Sequence, residues 1–152
     1  MNKTLVIGFK GKNNASKILV EQLSSEHVLL TNSFAGLKRD IDTISEGYDR
    51  VFLFGVDKNL MSTVRIERCA EIDSEKILSV LGLNDIADSL KIAGIDSYIS
   101  DKPTSYLCNE AYWHLLRKYS GRAVLIHIPT IKHMNENLSN KMKLALTGGS
   151  VD

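Results

Sequence analysis

Arg50-Val-Phe-Leu-Phe-Gly55 is a short, continuously apolar run closed by glycine, the pattern of a strand buried on both faces of a parallel sheet. Working outward, Thr4 to Phe9 reads as an earlier strand, and His27 to Thr31, Thr63 to Ile72, Asp96 to Ser100 and Arg122 to Ile128 as further ones. Helical patterns lie between them. Asn14 to Ser24 carries Ile18, Leu19 and Leu23, and Ser33 to Ile44 places Leu37, Ile41 and Ile44 on one face. Asp85 to Ala93 is a shorter helix. A longer one starts at Thr104 or Ser105, with Leu107, Ala111 and Leu115 repeating every four residues, and Asn135 to Leu146 closes the chain as an amphipathic helix. Strands alternating with helices predict an α/β fold: a three-layer α/β/α wound, mostly parallel sheet in a single domain over residues 1–147, with 148–152 as a flexible tail.

At 152 residues the chain is long enough to bury a core without a metal or disulfide framework. Nineteen Lys plus Arg nearly cancel eighteen Asp plus Glu, and no basic block stands out, which argues against nucleic-acid or anionic-membrane partners. The two cysteines, Cys69 and Cys108, are not in metal-site spacing with the four scattered histidines. The start, Met1-Asn-Lys-Thr-Leu-Val-Ile-Gly8, lacks the apolar core of a signal peptide, and no run approaches membrane-helix length. A cytoplasmic protein, in which a free thiol persists, is the expectation.

The chemistry is concentrated in Ser105-Tyr-Leu-Cys108-Asn-Glu-Ala-Tyr-Trp113 and Arg122-Ala-Val-Leu-Ile-His127-Ile-Pro129. With Ser105 as N-cap, Cys108 is the third helical residue, where free amides and the helix dipole favour a thiolate and can serve a developing oxyanion. Taken alone, Cys108 equally fits a small buried hydrophobe. By strand alternation His127 shares a face with Leu125, opposite Val124, Ile126 and Ile128, and a ring so placed needs a hydrogen-bond partner. A satisfied core histidine fits as well as a base. Glu67, in Val64-Arg-Ile-Glu-Arg-Cys-Ala70, fits either an orienting carboxylate or a strand salt bridge to Arg65 or Arg68. Cys69 reads as a core residue.

These blocks resemble the pyroglutamyl peptidases (pyrrolidone-carboxylate peptidases), cysteine peptidases with a Glu–Cys–His triad. Ile7-Gly-Phe9, Asn13-Asn-Ala-Ser16, Arg50-Val-Phe-Leu-Phe-Gly55, Ile66-Glu67-Arg68-Cys-Ala70, Thr104-Ser-Tyr-Leu-Cys108-Asn109 and Leu125-Ile-His127-Ile-Pro129 follow the family's order. The resemblance implies Cys108 as nucleophile, His127 as general base and then acid, and Glu67 as the orienting group. It also implies Phe9 and Tyr106 against the substrate's lactam ring, Asp57 as a further substrate-binding residue, no cofactor or metal, and a small peptide with a blocked N-terminus as substrate. A homo-oligomer is a further expectation from the family.

The chain departs from the family around the substrate. Lys10-Gly-Lys12 stands where the family has an acidic, proline-bearing loop with a second phenylalanine. Val56-Asp-Lys-Asn-Leu-Met-Ser62 replaces a glycine-rich loop, and Lys76-Ile77 stands near the place of an arginine by the oxyanion site. The chain is also shorter, mainly between Glu67 and Cys108. The triad is intact and the substrate shell altered. Two other functions fit the same residues: a cysteine hydrolase of another small amide or ester, and a degenerate, non-catalytic binding or assembly module.

Overall fold

The computed structural model describes residues 3–147; the tail expected at 148–152 lies outside the described residues. Strands β1 (Thr4–Phe9), β2 (His27–Leu30), β3 (Arg50–Val56), β4 (Thr63–Glu67), β7 (Asp96–Ser100) and β8 (Ala123–Ile128) form a six-stranded sheet in the order β2-β1-β3-β8-β4-β7. The first four in that order are mutually parallel; β4 runs antiparallel to β8, and β7 is parallel to β4. The sheet is thus mostly parallel, with a reversed pair at one edge. The helices are α1 (Ala15–Leu23), α2 (Phe34–Asp42), α3 (Leu83–Ile92), α4 (Tyr106–Lys118) and α5 (Glu136–Thr147).

Helices cover both faces. Leu5, Ile7, Leu53 and Leu125 pack on one side with Leu37 and Ile41 of α2 and with Ala111, Tyr112 and Leu115 of α4. Val6, Phe52, Phe54, Val124 and Ile126 pack on the other with Leu19 and Val20 of α1, Leu90 of α3 and Met142 of α5. Both faces of the central strands are therefore apolar, which is why Arg50 to Gly55 shows no alternation. Asn14 caps α1 by accepting from Ser16 N–H, and Ser33 caps α2 by accepting from Gly36 N–H. Gly8 lets α1 approach β1: a β-carbon there would stand 2.8 Å from the Ser16 carbonyl oxygen.

The expected strand Thr63 to Ile72 is divided. β4 ends at Glu67, Arg68 breaks the run, and β5 (Cys69–Ile72) leaves the main sheet to pair with β6 (Glu75–Leu78). This hairpin turns through Asp73 and Ser74, both with positive φ (51° and 68°), the geometry of a tight primed turn. The turn has no glycine to announce it. The hairpin is stitched to α4: Asn109 Nδ2 donates to the Glu71 carbonyl at 2.8 Å, Glu71 N–H donates to Asn109 Oδ1 at 3.1 Å, and Trp113 Nε1 donates to the Glu75 carbonyl at 3.1 Å.

Candidate functional site

The ends of β1, β3 and β8, the start of β4 and the first turn of α4 meet at the carboxyl edge of the parallel strands, where open α/β sheets bind ligands. A cavity of about 380 Å³ opens there, within the usual range for small-molecule sites. Phe9, Val56, Tyr106 and Leu107 supply its apolar lining; Asp57, Arg65, Cys108 and His127 also face it.

His127 is 3 % exposed, and its Nδ1 lies 2.7 Å from Glu67 Oε2. Antiparallel pairing makes this possible: Glu67 lies opposite Leu125 and Arg65 opposite His127, so Glu67 reaches the ring diagonally on one sheet face. Cys108 stands across from the ring. A β-carbon on Gly55 would be 2.6 Å from Cys108 Sγ and 3.2 Å from His127 Nε2, so sulfur and ring nitrogen flank one carbon-sized space above β3. The three candidates that sequence reading singled out converge.

Glu67 is also ion-paired, as the alternative reading of it expected, but with Arg65 and in a buried setting. Arg65 Nε donates to Glu67 Oε2 at 2.5 Å, and Glu67 is 1 % exposed. Arg68 points elsewhere, to Asp101. The Glu67 carbonyl accepts from Tyr112 of α4 at 2.8 Å, which ties the strand of Glu67 to the helix of Cys108.

α4 begins unusually. Ser105 takes the N-cap position in extended conformation but makes no side-chain cap bond, and Tyr106 has φ 69°. A non-glycine residue in the left-handed region costs roughly 1–2 kcal/mol, a strain located two residues before the thiol. Tyr106 is 77 % exposed at the cavity mouth and meets Phe34 edge-on, with centroids 5.9 Å apart. Phe9, by contrast, is buried at the cavity floor.

The expected thiolate is opposed by the surroundings. Burial pushes the Cys108 thiol up to about 12; the Glu67 carboxylate adds to this and the Arg65 guanidinium offsets part of it. Asp57 moves the other way: burial would raise it, but the Asn59 N–H and the Arg65 guanidinium hold it below the usual carboxylate range. Asp57 accepts from Arg65 Nη1 at 2.8 Å, so its charge is engaged within the site.

Lys76 brings no charge to the cavity. It sits on β6 opposite Glu71 in the hairpin, and the cation in contact with Glu67 and His127 is Arg65. Sequence reading met Arg65 only as a salt-bridge partner, and Gly55 only as a strand end. The signals were a basic residue on the same strand face as Glu67, and a glycine closing a buried apolar run. Asn32 and Asn59, which also line the cavity, carried no distinguishing signal, and Asn14 stood in the Asn13-Asn-Ala-Ser16 block without a site role. Cys69 is buried, and both cysteines are free. Among the described residues no three His, Cys, Asp or Glu side chains gather to hold a metal ion, and no helix is long and apolar enough to cross a membrane.

Fold and geometry define an α/β protein with a thiol, an imidazole and a carboxylate at the sheet's carboxyl edge, and its fold is that of the pyrrolidone carboxyl peptidases. The pyrrolidone carboxyl peptidase of Thermococcus litoralis superposes with a TM-score of 0.79 at 19 % identity, over 97 % of this chain and 92 % of that one. That of Pyrococcus furiosus gives 0.80 at 20 % identity, over 97 % of each chain. Pyroglutamyl peptidase I of Bacillus amyloliquefaciens gives 0.78 at 17 % identity, over 95 % of each. No protein-family model matches the sequence, and no curated protein matches it significantly.

Proposed function

We propose that this protein is a short, divergent member of the pyroglutamyl peptidase family: a cysteine peptidase that hydrolyses the amide bond after an N-terminal pyroglutamyl residue. The observation that carries the reading is the 2.7 Å contact between His127 Nδ1 and Glu67, with Nε2 facing the Cys108 sulfur across Gly55. An ionised Glu67 fixes the proton on Nδ1 and leaves the Nε2 lone pair toward the thiol.

Because burial disfavours a free thiolate, proton transfer to His127 accompanies attack on the scissile carbonyl. The S–C bond forms as the carbonyl π electrons move to oxygen. The amides in the first turn of α4, unpaired within the helix, are the donors this reading assigns to that oxyanion, and such a donor contributes about 3–4 kcal/mol. Collapse breaks the C–N bond, and the leaving amine takes the proton from imidazolium. Water, deprotonated by the same nitrogen, then cleaves the thioester and regenerates the thiol.

A neutral lactam ring suits a cavity lined by Phe9, Val56 and Leu107, with Tyr106 at its mouth and amides from Asn14, Asn32 and Asn59. One observation favours the second reading, a cysteine hydrolase of another small amide or ester. Asp57, the acid in the altered loop, is committed to Arg65 and the Asn59 N–H. A panel of chromogenic acyl amides separates the two. Preference for the pyroglutamyl amide by at least about tenfold in kcat/KM, equivalent to roughly 1.4 kcal/mol, is expected. Equal rates across the panel would move the assignment to the broader hydrolase.

A further inference from the structure

We propose that Arg65 is a positioning residue whose guanidinium binds Glu67 and Asp57 into one ionised cluster and keeps His127 in the neutral form that can accept the Cys108 proton. This rests on the reading of His127 as the base. Arg65 lies opposite His127 in the β4–β8 pairing and presents three nitrogens to three groups. Nε donates to Glu67 Oε2 at 2.5 Å, Nη1 donates to Asp57 Oδ2 at 2.8 Å, and Nη2 stands 3.2 Å from His127 Nδ1. The arginine side chain is 18 % exposed, Asp57 21 % and Glu67 1 %, so water screens this cluster poorly.

Nδ1 cannot donate to Glu67 and accept from Arg65 with the same tautomer. When Nδ1 carries the hydrogen and donates to Glu67, Nη2 acts on the ring as a neighbouring cation. That cation opposes a second proton on the imidazole. The remaining groups around the ring do not substitute for it. Cys108 faces it from α4, and Asp57 and Lys58 come from the segment after β3. Phe9, Asn14 and Asn32 are uncharged, the Lys10 ammonium is turned to Thr31 Oγ1, and Lys58 is exposed. Without Arg65, two neighbouring carboxylates lose their shared counter-charge, and His127 is the nearby group able to replace it by taking up a proton. The base would then be consumed as a counter-ion.

The test is Arg65→Gln and Arg65→Lys, read by the pH dependence of Cys108 alkylation with iodoacetamide and of pyroglutamyl amide turnover. The charge state of the His127 ring is read alongside by NMR, its signal assigned through loss in His127→Asn. In Arg65→Gln the acidic limb should move up by about one pH unit or more, the usual effect of removing an adjacent like charge from beside the imidazolium, and the imidazolium signal should persist to correspondingly higher pH. Arg65→Lys should keep the limb near its wild-type position while lowering kcat, since one ammonium cannot span both carboxylates in a planar fork. A folded Arg65→Gln with unmoved limb and ring signal would overturn the proposal, as would an Arg65→Lys limb displaced like that of the glutamine variant. The ring signal needs no turnover. A shifted signal in a protein inactive on every amide would uphold Arg65's role while ending the peptidase reading.

Discussion

Gly55 lies directly beneath the Cys108 sulfur, closer than any side chain could be borne: a β-carbon on it would meet Sγ at 2.6 Å. The last residue of the apolar run at the centre of the sheet is thus the floor of the reactive space. In Gly55→Ala the methyl must displace the sulfur, the ring or the strand. The expected outcome is about 1–3 kcal/mol lower stability in a denaturant titration and at least about a hundredfold loss of kcat/KM, because misplacement of reacting groups by about 1 Å costs that much. A variant of unchanged activity would mean that this gap is not where the chemistry occurs.

Glu67 serves both His127 and Arg65 through one oxygen. Glu67→Gln replaces a charged acceptor with an amide, removing the force that selects the Nδ1–H tautomer. By comparison with other orienting carboxylates, kcat should drop roughly a thousandfold to ten-thousandfold with the fold retained. Steady-state kinetics on the pyroglutamyl amide measure this. A loss below about tenfold would return Glu67 to a purely structural ion pair.

The helix of Cys108 is registered against the strand of Glu67 by Tyr112, which is wholly buried and donates to the Glu67 carbonyl. Tyr112→Phe leaves that carbonyl without this donor and should cost about 1–3 kcal/mol in stability. Activity per folded molecule should fall severalfold, because Glu67 relaxes with its backbone. Thermal unfolding paired with active-site titration separates the two effects.

The raised thiol pKa makes a claim about alkaline stability. Folding lifts Cys108 from an ordinary value of 9.0 to about 12 through burial, then the Glu67 charge, so the folded state holds this proton more tightly. The contribution is complete below pH 9, declines as the unfolded chain releases its proton above pH 9, and stops declining once pH passes about 12. Burial also raises Tyr119, from 10.0 to about 12, so the thiol is one of several sources of alkaline instability. Cys108→Ser deletes only the thiol's share. Its melting temperature should fall less steeply than the wild type's between about pH 8.5 and 10.5; parallel curves would show that the thiol is not held protonated.

The strands of the sheet's centre were legible because burial on both faces leaves an unbroken apolar run, and Cys108 and His127 because their motifs fix them to a helix start and a strand end. The break at Arg68 was not legible. Thr63 to Ile72 is of mixed character, with no proline, glycine or asparagine to mark a break, and the hairpin that follows turns on Asp73-Ser74 rather than on asparagine or glycine. Arg65's role was hidden for a related reason. A residue two positions from Glu67 faces the same way, but only the antiparallel register of β4 against β8 sets it beside the imidazole. The helix terminus beside Cys108 was legible, and the burial that raises its thiol was not.

The most direct test is to quench the protein with acid during incubation with a pyroglutamyl amide and map any covalent adduct by peptide mass spectrometry. A pyroglutamyl group on the peptide bearing Cys108, absent from Cys108→Ser together with product release, is the expected result. Equal product release by wild type and Cys108→Ser, with no acylated cysteine in either, would contradict a thioester route through this thiol.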